Sequence, residues 1–234
     1  MKAFDFFCGG GGMTRGLLDS GVKVIAGLDI DSTCEATYLE NNDPAEFIHE
    51  DIELLDPARL ENGYLTSRGN EIKLNRNDNE LIFVGCSPCQ YWSRMKNDKS
   101  KSQVSRNLLT DFKVFVDYFS PGYVVIENVP GVLYRADSPL EDFLNFLADR
   151  GYKYVDKGII KVSEHGVPQT RKRFLLIASR VKPVTLPAPN KKARNTVKNT
   201  IGDPLLFPPI GKHREIYRNL QSEIGVLNTF HHGQ

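Results

Sequence analysis

The residue with the most chemical promise is Cys89, in the stretch Glu80–Ser93, ELIFVGCSPCQYWS. An apolar run, Leu81-Ile82-Phe83-Val84, precedes it and reads as a short buried strand. Gly85 ends that run. Pro88 then stiffens the turn by fixing its own φ and pushing Ser87 toward extended backbone. A thiol on a stiff turn at a strand's carboxyl end stands where open α/β sheets place their ligands. Its chemistry there would be nucleophilic attack. Three other readings compete. Free cysteine is often simply buried. Cys86-x-x-Cys89 has the spacing of a redox pair after a strand. It also has the spacing of half a zinc site, but no second CxxC or near-spaced His pair accompanies it, and His231-His232 is adjacent and remote. No metal is therefore expected.

A second polar group closes a second apolar run. Tyr123-Val124-Val125-Ile126 reads as a buried strand and ends in Glu127-Asn128-Val129-Pro130. A carboxyl group at that position, beside a low-dielectric site, holds a raised pKa and can donate a proton. The alternative is an exposed strand-end acid.

The amino-terminal stretch offers a place for a ligand. Lys2 to Cys8 is β-prone, Gly9 to Gly12 interrupt it, and Met13, Leu17 and Leu18 follow at helical spacing up to Gly21. A glycine loop between strand and helix lets a ligand approach the backbone. An acid about 20 positions on, at the end of the next strand, is placed to bind ribose hydroxyls. Asp29 stands there. The strict G-x-G-x-x-G spacing fails, because its last position falls on Thr14 or Arg15. That weakens a pyrophosphate reading and leaves adenosyl cofactors without one open. Asp51, after Phe47-Ile48-His49, is an acceptor for an adenine amino group or else a turn or N-cap acid.

These residues need elements to position them. The spacing predicts strands over Lys2–Cys8, Val22–Leu28, Phe47–Ile52, Leu81–Val84 and Tyr123–Ile126, with a helix from about Ser32 to Asn41. Leu108, Leu109, Phe112, Phe115, Val116 and Phe119 mark a helix that covers the sheet, broken by Pro121-Gly122. Leu140, Phe143, Leu144 and Leu147 mark another, stopped by Gly151. Tyr152–Ser163 and Phe174–Ser179 predict a terminal antiparallel pair. Pro57–Asn79 reads as a loop or irregular insertion, and Asn97–Arg106 as a polar loop that would serve as a mobile lid or a plain surface. The fold class expected is α/β, a doubly wound and mostly parallel sheet with an antiparallel terminal strand.

The chain's 234 residues can bury one good core. The formal net charge of +1 gives no global field toward a polyanion, although basic residues cluster from Arg171 through Arg173, Arg180, Lys191 and Lys198. There is no signal-peptide pattern and no membrane-length apolar run, so a reduced, cytosolic protein is the expectation.

Together the motifs resemble the cytosine-C5 DNA methyltransferases. Asp5-Phe6-Phe7-Cys8-Gly9-Gly10-Gly11-Gly12 is similar to that family's first cofactor motif, and Gly85-Cys86-Ser87-Pro88-Cys89-Gln90 to its Pro-Cys-Gln motif. Glu127-Asn128-Val129 is similar to its Glu-Asn-Val motif, and Gln169-x-Arg171-x-Arg173 to its Gln-x-Arg-x-Arg motif, all in family order. The resemblance implies a Rossmann-like fold of the S-adenosylmethionine-dependent type, with S-adenosylhomocysteine as product. Its cofactor set is Phe7 (packing on adenine), Gly9, Gly11, Gly12, Asp29 (ribose), Ile30, Asp51 and Ile52 (adenine edge), and Pro88. Its catalytic set is Cys89, Glu127 facing cytosine N3, Arg173 at O2, and Arg171 as a second basic residue. Thiolate addition at C6 would make C5 nucleophilic, Glu127 and Arg173 would stabilise the developing charge, and C5 would take the methyl. The base must first be flipped from the duplex.

Double-stranded DNA is thus the implied partner. A cofactor- or DNA-binding subunit without turnover, or an RNA substrate, are the alternatives. Three departures stand out: Asp29 where the family usually has Glu, Glu80 where it often has Asp, and Tyr91-Trp92-Ser93 where Gly-Phe-Ser is common. The expected division is a catalytic region over 1–182 and a Pro-rich extension over 183–234, leading past Phe230-His231-His232 toward a target-recognition domain. The chain stops at Gln234, which predicts either a truncated chain or the catalytic half of a split enzyme with recognition on a second chain.

Overall fold

The computed structural model describes residues 1–86, 104–134, 138–190 and 195–202. Two compact units divide the chain: Met1–Ile160 with Lys172–Ala188, and Lys161–Arg171 with Pro189–Gln234.

The first unit is built on a sheet. β1 (Lys2–Phe6) leads through the glycine loop to α1 (Gly12–Asp19) and β2 (Lys23–Asp29). A 3-10 turn, Ser32–Cys34, and α2 (Glu35–Asn41) precede β3 (Glu46–His49). Next come α3 (Pro57–Asn62), the small hairpin β4 (Tyr64–Leu65) and β5 (Glu71–Ile72), and β6 (Leu81–Gly85). After α4 (Val104–Phe119) come β7 (Tyr123–Asn128), α5 (Leu140–Asp149), β8 (Tyr154–Lys161) and β9 (Lys172–Ser179).

The seven-stranded sheet has the order β3-β2-β1-β6-β7-β9-β8. β3, β2, β1, β6 and β7 run parallel to one another, and β9 runs antiparallel to β7. The chain moves outward from β1 through β2 to β3, then returns to the other side of β1 at β6. That reversal is a topological switch point, where the carboxyl ends of neighbouring strands splay apart to leave a crevice. The doubly wound, mostly parallel fold with an antiparallel strand is as the sequence implies.

β6 shows why a continuous apolar run makes a central parallel strand. Leu81 and Phe83 face one core, Ile82 and Val84 the other, and all are buried. The first core is aromatic. Phe6 lies 5.0 Å from Phe83 and 5.1 Å from Phe112, ring centre to ring centre and edge-on. Phe112, Phe115, Val116 and Phe119 bring α4 onto it, and Phe143 and Leu147 bring α5. The opposite core holds Ala3, Val24, Tyr38, Phe47 and Val84, with Met13 and Leu17 of α1 packed against them.

Two expectations need correction. Pro57–Asn79 is ordered structure and not an irregular insertion. Asp56 accepts a hydrogen bond from Ala58 N at 2.9 Å and Pro57 occupies the first turn, so α3 starts with a proper cap. Leu60, Ile72 and Leu74 are buried. The hairpin is pinned by Glu46, which accepts from Thr66 Oγ1 at 2.9 Å and from Asn70 Nδ2 at 2.7 Å. Second, the third strand ends at His49. Residues Asp51 and Ile52 lie in a turn, where Asp51 O accepts from Leu54 N and Leu55 N, each at 3.0 Å.

In the second unit, a 3-10 turn over Val162–His165 is held by Val162 N donating to Arg171 O at 3.0 Å. Asn190 N donates to Glu164 O at 2.7 Å and Asn195 Nδ2 to Gly166 O at 2.8 Å. Thr196 caps the short α6 (Val197–Ile201). Among the described residues no helix is long and apolar enough to cross a membrane.

Candidate active site

The strand registers line up the candidate residues along one edge of the sheet. Asp29 pairs with His49, Leu28 with Phe6, Phe6 with Gly85, Gly85 with Ile126, and Glu127 with Leu175. All of these pairs lie at the carboxyl ends of the parallel strands.

The glycine loop is shaped by backbone bonds. Cys8 N donates to Leu28 O at 3.1 Å, and Gly11 N to Cys8 O at 2.9 Å. Phe7 is held at φ 60°, a left-handed conformation that a bulky residue adopts at a cost of order 1–3 kcal/mol. Gly11 sits at φ 85°, and a Cβ there would lie 2.1 Å from Asn42 Nδ2 and 2.8 Å from the Tyr38 ring. Only glycine fits that position. At Gly9 and Gly12 an added Cβ would meet no protein atom within 4 Å, although Gly9, at φ 50°, shares the left-handed backbone that favours glycine. The loop therefore keeps open space beside its backbone at the amino end of α1.

Asp29 ties β2 to this loop. Its Oδ2 accepts from Gly9 N at 2.8 Å and its Oδ1 from Asp31 N at 2.9 Å. Ile30 is 62% exposed, an apolar side chain left uncovered at the strand end. His49 Nε2 bonds Ile30 O at 2.9 Å, and Glu50 N donates to Asp29 O at 3.3 Å, so the ends of β2 and β3 are knitted together. Asp51 is half-buried and accepts from Glu53 N at 3.0 Å, as a turn acid does; Ile52 is buried. Asp111 of α4 is close to both Asp51 and Glu53. Burial, then those two charges, push its carboxyl above the ordinary range.

On the other side of β1, Cys86 N donates to Phe6 O at 3.3 Å, extending the β1–β6 ladder by one bond. Pro88 and Cys89 lie outside the described residues, as do Asn97–Gln103 of the stretch Asn97–Arg106 expected to be a polar loop; its last three residues, Val104–Arg106, are not loop but the first turn of α4. Glu127 and Arg173 are brought together: Arg173 Nε lies 2.6 Å from Glu127 Oε1, with both side chains mostly buried. Arg173 also donates to Lys172 O at 2.9 Å. Asn128 is buried, and its Oδ1 accepts from Val129 N at 2.8 Å, fixing the chain as it leaves β7. Arg171 belongs to the second unit. Among the described residues no group of His, Cys, Asp or Glu is arranged to hold a metal ion.

One buried polar group escaped the motif-based reading. Asp5 is fully buried, with Thr14 Oγ1 donating to its Oδ2 at 2.7 Å. Burial pushes its carboxyl up to about 7, the Thr14 hydrogen bond opposing and Asp29 adding slightly. The signal was available, since alternation in Lys2-Ala3-Phe4-Asp5-Phe6 puts a carboxyl where an apolar side chain belongs.

A glycine loop at the switch point, an acid at the end of β2 and the Glu127–Asn128 pair at the end of β7 stand on an α/β fold of the methyltransferase type. A family model described as C-5 cytosine-specific DNA methylase matches residues 1–223, and the chain belongs to that family. It is 32% identical over 201 residues to the type II methylase M.HgiDII of Herpetosiphon aurantiacus, covering 85% of this chain and 53% of that one. It is 32% identical over 185 residues to the type II methyltransferase M.DdeI of Desulfomicrobium norvegicum, covering 76% and 40%. The chain thus spans about half the length of these relatives. In fold it is similar to a DNA modification methyltransferase encoded within a prophage (E. coli), with a TM-score of 0.65 at 22% identity over 86% of this chain and 54% of that one. It is also similar to the S. pombe Dnmt2 methyltransferase, with a TM-score of 0.58 at 19% identity over 80% and 52%.

Proposed function

We propose that this chain carries the catalytic machinery of a DNA (cytosine-5)-methyltransferase that uses S-adenosylmethionine and acts on a flipped cytosine. The observation that carries the reading is the 2.6 Å contact between Glu127 and Arg173 at the carboxyl edge, beside the strand that runs into Cys86 and on to Cys89. The family supports the substrate class.

The residues at the glycine loop fit an adenosyl ligand. Open space beside Gly9 and Gly12 admits a ligand to the backbone, exposed Ile30 offers an apolar surface, and the carboxylates of Asp29 and Asp51 are acceptors for hydroxyl and amino groups. Phe7, Gly11, Ile52 and Pro88 complete the proposed cofactor set. When bound, S-adenosylmethionine supplies a methyl group on a positively charged sulfur.

The chain's own residues prepare the acceptor. The Cys89 thiolate adds to C6 of the cytosine ring, which moves electron density toward C5, N3 and O2. Glu127 takes up a proton from solvent as the base enters and donates it to N3, and Arg173 donates to O2, so the negative charge that develops there is stabilised. The ion pair fixes both side chains before the base arrives, so little reorganisation remains at the reactive moment. C5 would then take the methyl group as the methyl–sulfur bond breaks to leave a neutral thioether, and loss of the C5 proton to a base would let the Cys89 thiolate leave. Arg171 and its basic neighbours hold the DNA backbone while the base is out of the stack.

The test is incubation with methyl-labelled S-adenosylmethionine and mixed-sequence duplex DNA, with tRNA as a parallel substrate. Labelled 5-methylcytosine in the digested DNA is the expected result. Label confined to tRNA, or in another base, contradicts the proposal.

A further inference from the structure

Beneath the glycine loop lies a polar chain that the reaction described above does not use. Asp5 of β1, Thr14 of α1 and Tyr38 of α2 are all fully buried. Thr14 has one hydroxyl proton and gives it to Asp5 Oδ2 at 2.7 Å. The 3.1 Å contact between Thr14 Oγ1 and Tyr38 Oη must then be donated by Tyr38. The chain of donation runs from Tyr38 to Thr14 to Asp5. The other carboxyl oxygen, Asp5 Oδ1, is buried without a hydrogen-bond partner among the described residues.

Among the described residues no cation bears on this carboxyl. The groups that bear on it are Thr14 from α1, Tyr38 from α2, Cys8 from the loop and Asp29 from the end of β2; its register partner on β6 is Val84, which is apolar. Burying a carboxylate among such neighbours costs more than burying a neutral carboxyl, even one whose Oδ1 proton finds no acceptor among the described residues. Burial accordingly raises this group to about 7, within reach of ordinary solution conditions. Asp5 is only two residues from Phe7 and four from Gly9, and Thr14 stands in the first turn of the helix that the loop opens. Charge arriving at the loop therefore acts on Asp5 at short range and low dielectric.

We propose that Asp5, Thr14 and Tyr38 form a proton-linked latch under the glycine loop, in which Asp5 holds a proton on Oδ1 in the ligand-free protein and releases it to solvent when a cationic cofactor occupies the loop. The inference rests on the cofactor reading above and extends it to substrate–product discrimination. The O–H bond of Asp5 breaks, the proton goes to water, and the carboxylate keeps Thr14 as its donor. Asp5 is a positioning residue in this account. The sulfonium of S-adenosylmethionine favours the ionised latch, and the neutral thioether of S-adenosylhomocysteine does not. The affinity ratio of substrate over product is therefore expected to rise severalfold between about pH 6 and about pH 8.

The experiment is calorimetric titration of the intact protein with each ligand near neutral pH, in buffers of different ionisation heat, which counts protons released. The expected result is a fraction of a proton more released with S-adenosylmethionine than with S-adenosylhomocysteine. Asp5→Asn is expected to abolish that difference while still binding both ligands. The ligands share an α-amino group, so its own titration cancels in the comparison. Thr14→Val removes the hydroxyl donor that favours the carboxylate while the backbone N–H of residue 14 remains, and the midpoint of the linkage should move to higher pH; this variant decides the matter if Asp5→Asn does not fold. Equal proton counts for the two ligands, a wild-type difference surviving in Asp5→Asn, or an unmoved midpoint in Thr14→Val overturns the latch alone. Failure of the wild-type protein to bind either ligand overturns the cofactor reading and the latch with it.

Discussion

Glu127 and Arg173 reach each other from antiparallel neighbours, and each is shielded enough for the 2.6 Å contact to persist against water. A carboxylate so held is a rigid partner for a ring nitrogen. Glu127→Gln keeps the shape but loses the charge and the proton-transfer capacity. Turnover in the variant is expected to fall by about 10²- to 10⁴-fold with cofactor affinity intact, read by steady-state methyl transfer and by ligand titration. Undiminished turnover would remove Glu127 from the chemistry. Asp5 makes a different kind of prediction. Its folded-state value of about 7 lies above the ordinary 3.8, so the folded protein binds the extra proton. The stability linked to that proton is fully present below about pH 4 and is lost as pH rises through 7, an effect of order a few kcal/mol. Asp5→Asn should flatten the ligand-free protein's denaturant midpoint across that window; an unchanged slope would contradict the assignment.

The elements that carry the site differ in how plainly the sequence announced them. β6 and α4 were legible because an unbroken Leu-Ile-Phe-Val run and the spacing of Phe112, Phe115 and Phe119 each match one periodicity. The hairpin over Tyr64–Ile72 was not, because what holds it is the distant Glu46, a partner no local pattern displays. α3 had a readable Asp56-Pro57 start, masked by the polar residues around Leu60. At the site, the Asp29 offset announced the glycine loop, but its bond to Gly9 required the fold. The loop is the least tolerant element. Gly11→Ala puts a Cβ into Asn42 and Tyr38 and forbids the φ of 85°, so it is expected to lower stability by at least about 1 kcal/mol and weaken cofactor binding at least tenfold. Thermal unfolding and S-adenosylhomocysteine titration check both. Wild-type affinity in a folded Gly11→Ala protein would mean that the loop's shape does not matter to the ligand.

In the first unit, two halves of one sheet edge divide the labour proposed here. The ends of β2 and β3 join the glycine loop through Asp29 and His49, while β7 and β9 supply the Glu127–Arg173 pair. β6 lies between these groups in the sheet order and leads in sequence to Cys89. That arrangement explains why motifs far apart in the chain belong to one reaction. The central claim is that the Cys89 thiolate attacks cytosine C6 in duplex DNA. The most direct measurement uses duplex DNA carrying 5-fluorocytosine, whose C5 fluorine cannot leave as a proton does and so traps the covalent adduct. With S-adenosylmethionine present, mass spectrometry of the digested complex is expected to find the DNA joined to Cys89, with no adduct from Cys89→Ala. An adduct at Cys8, Cys34 or Cys86, or one that survives in Cys89→Ala, would contradict the account.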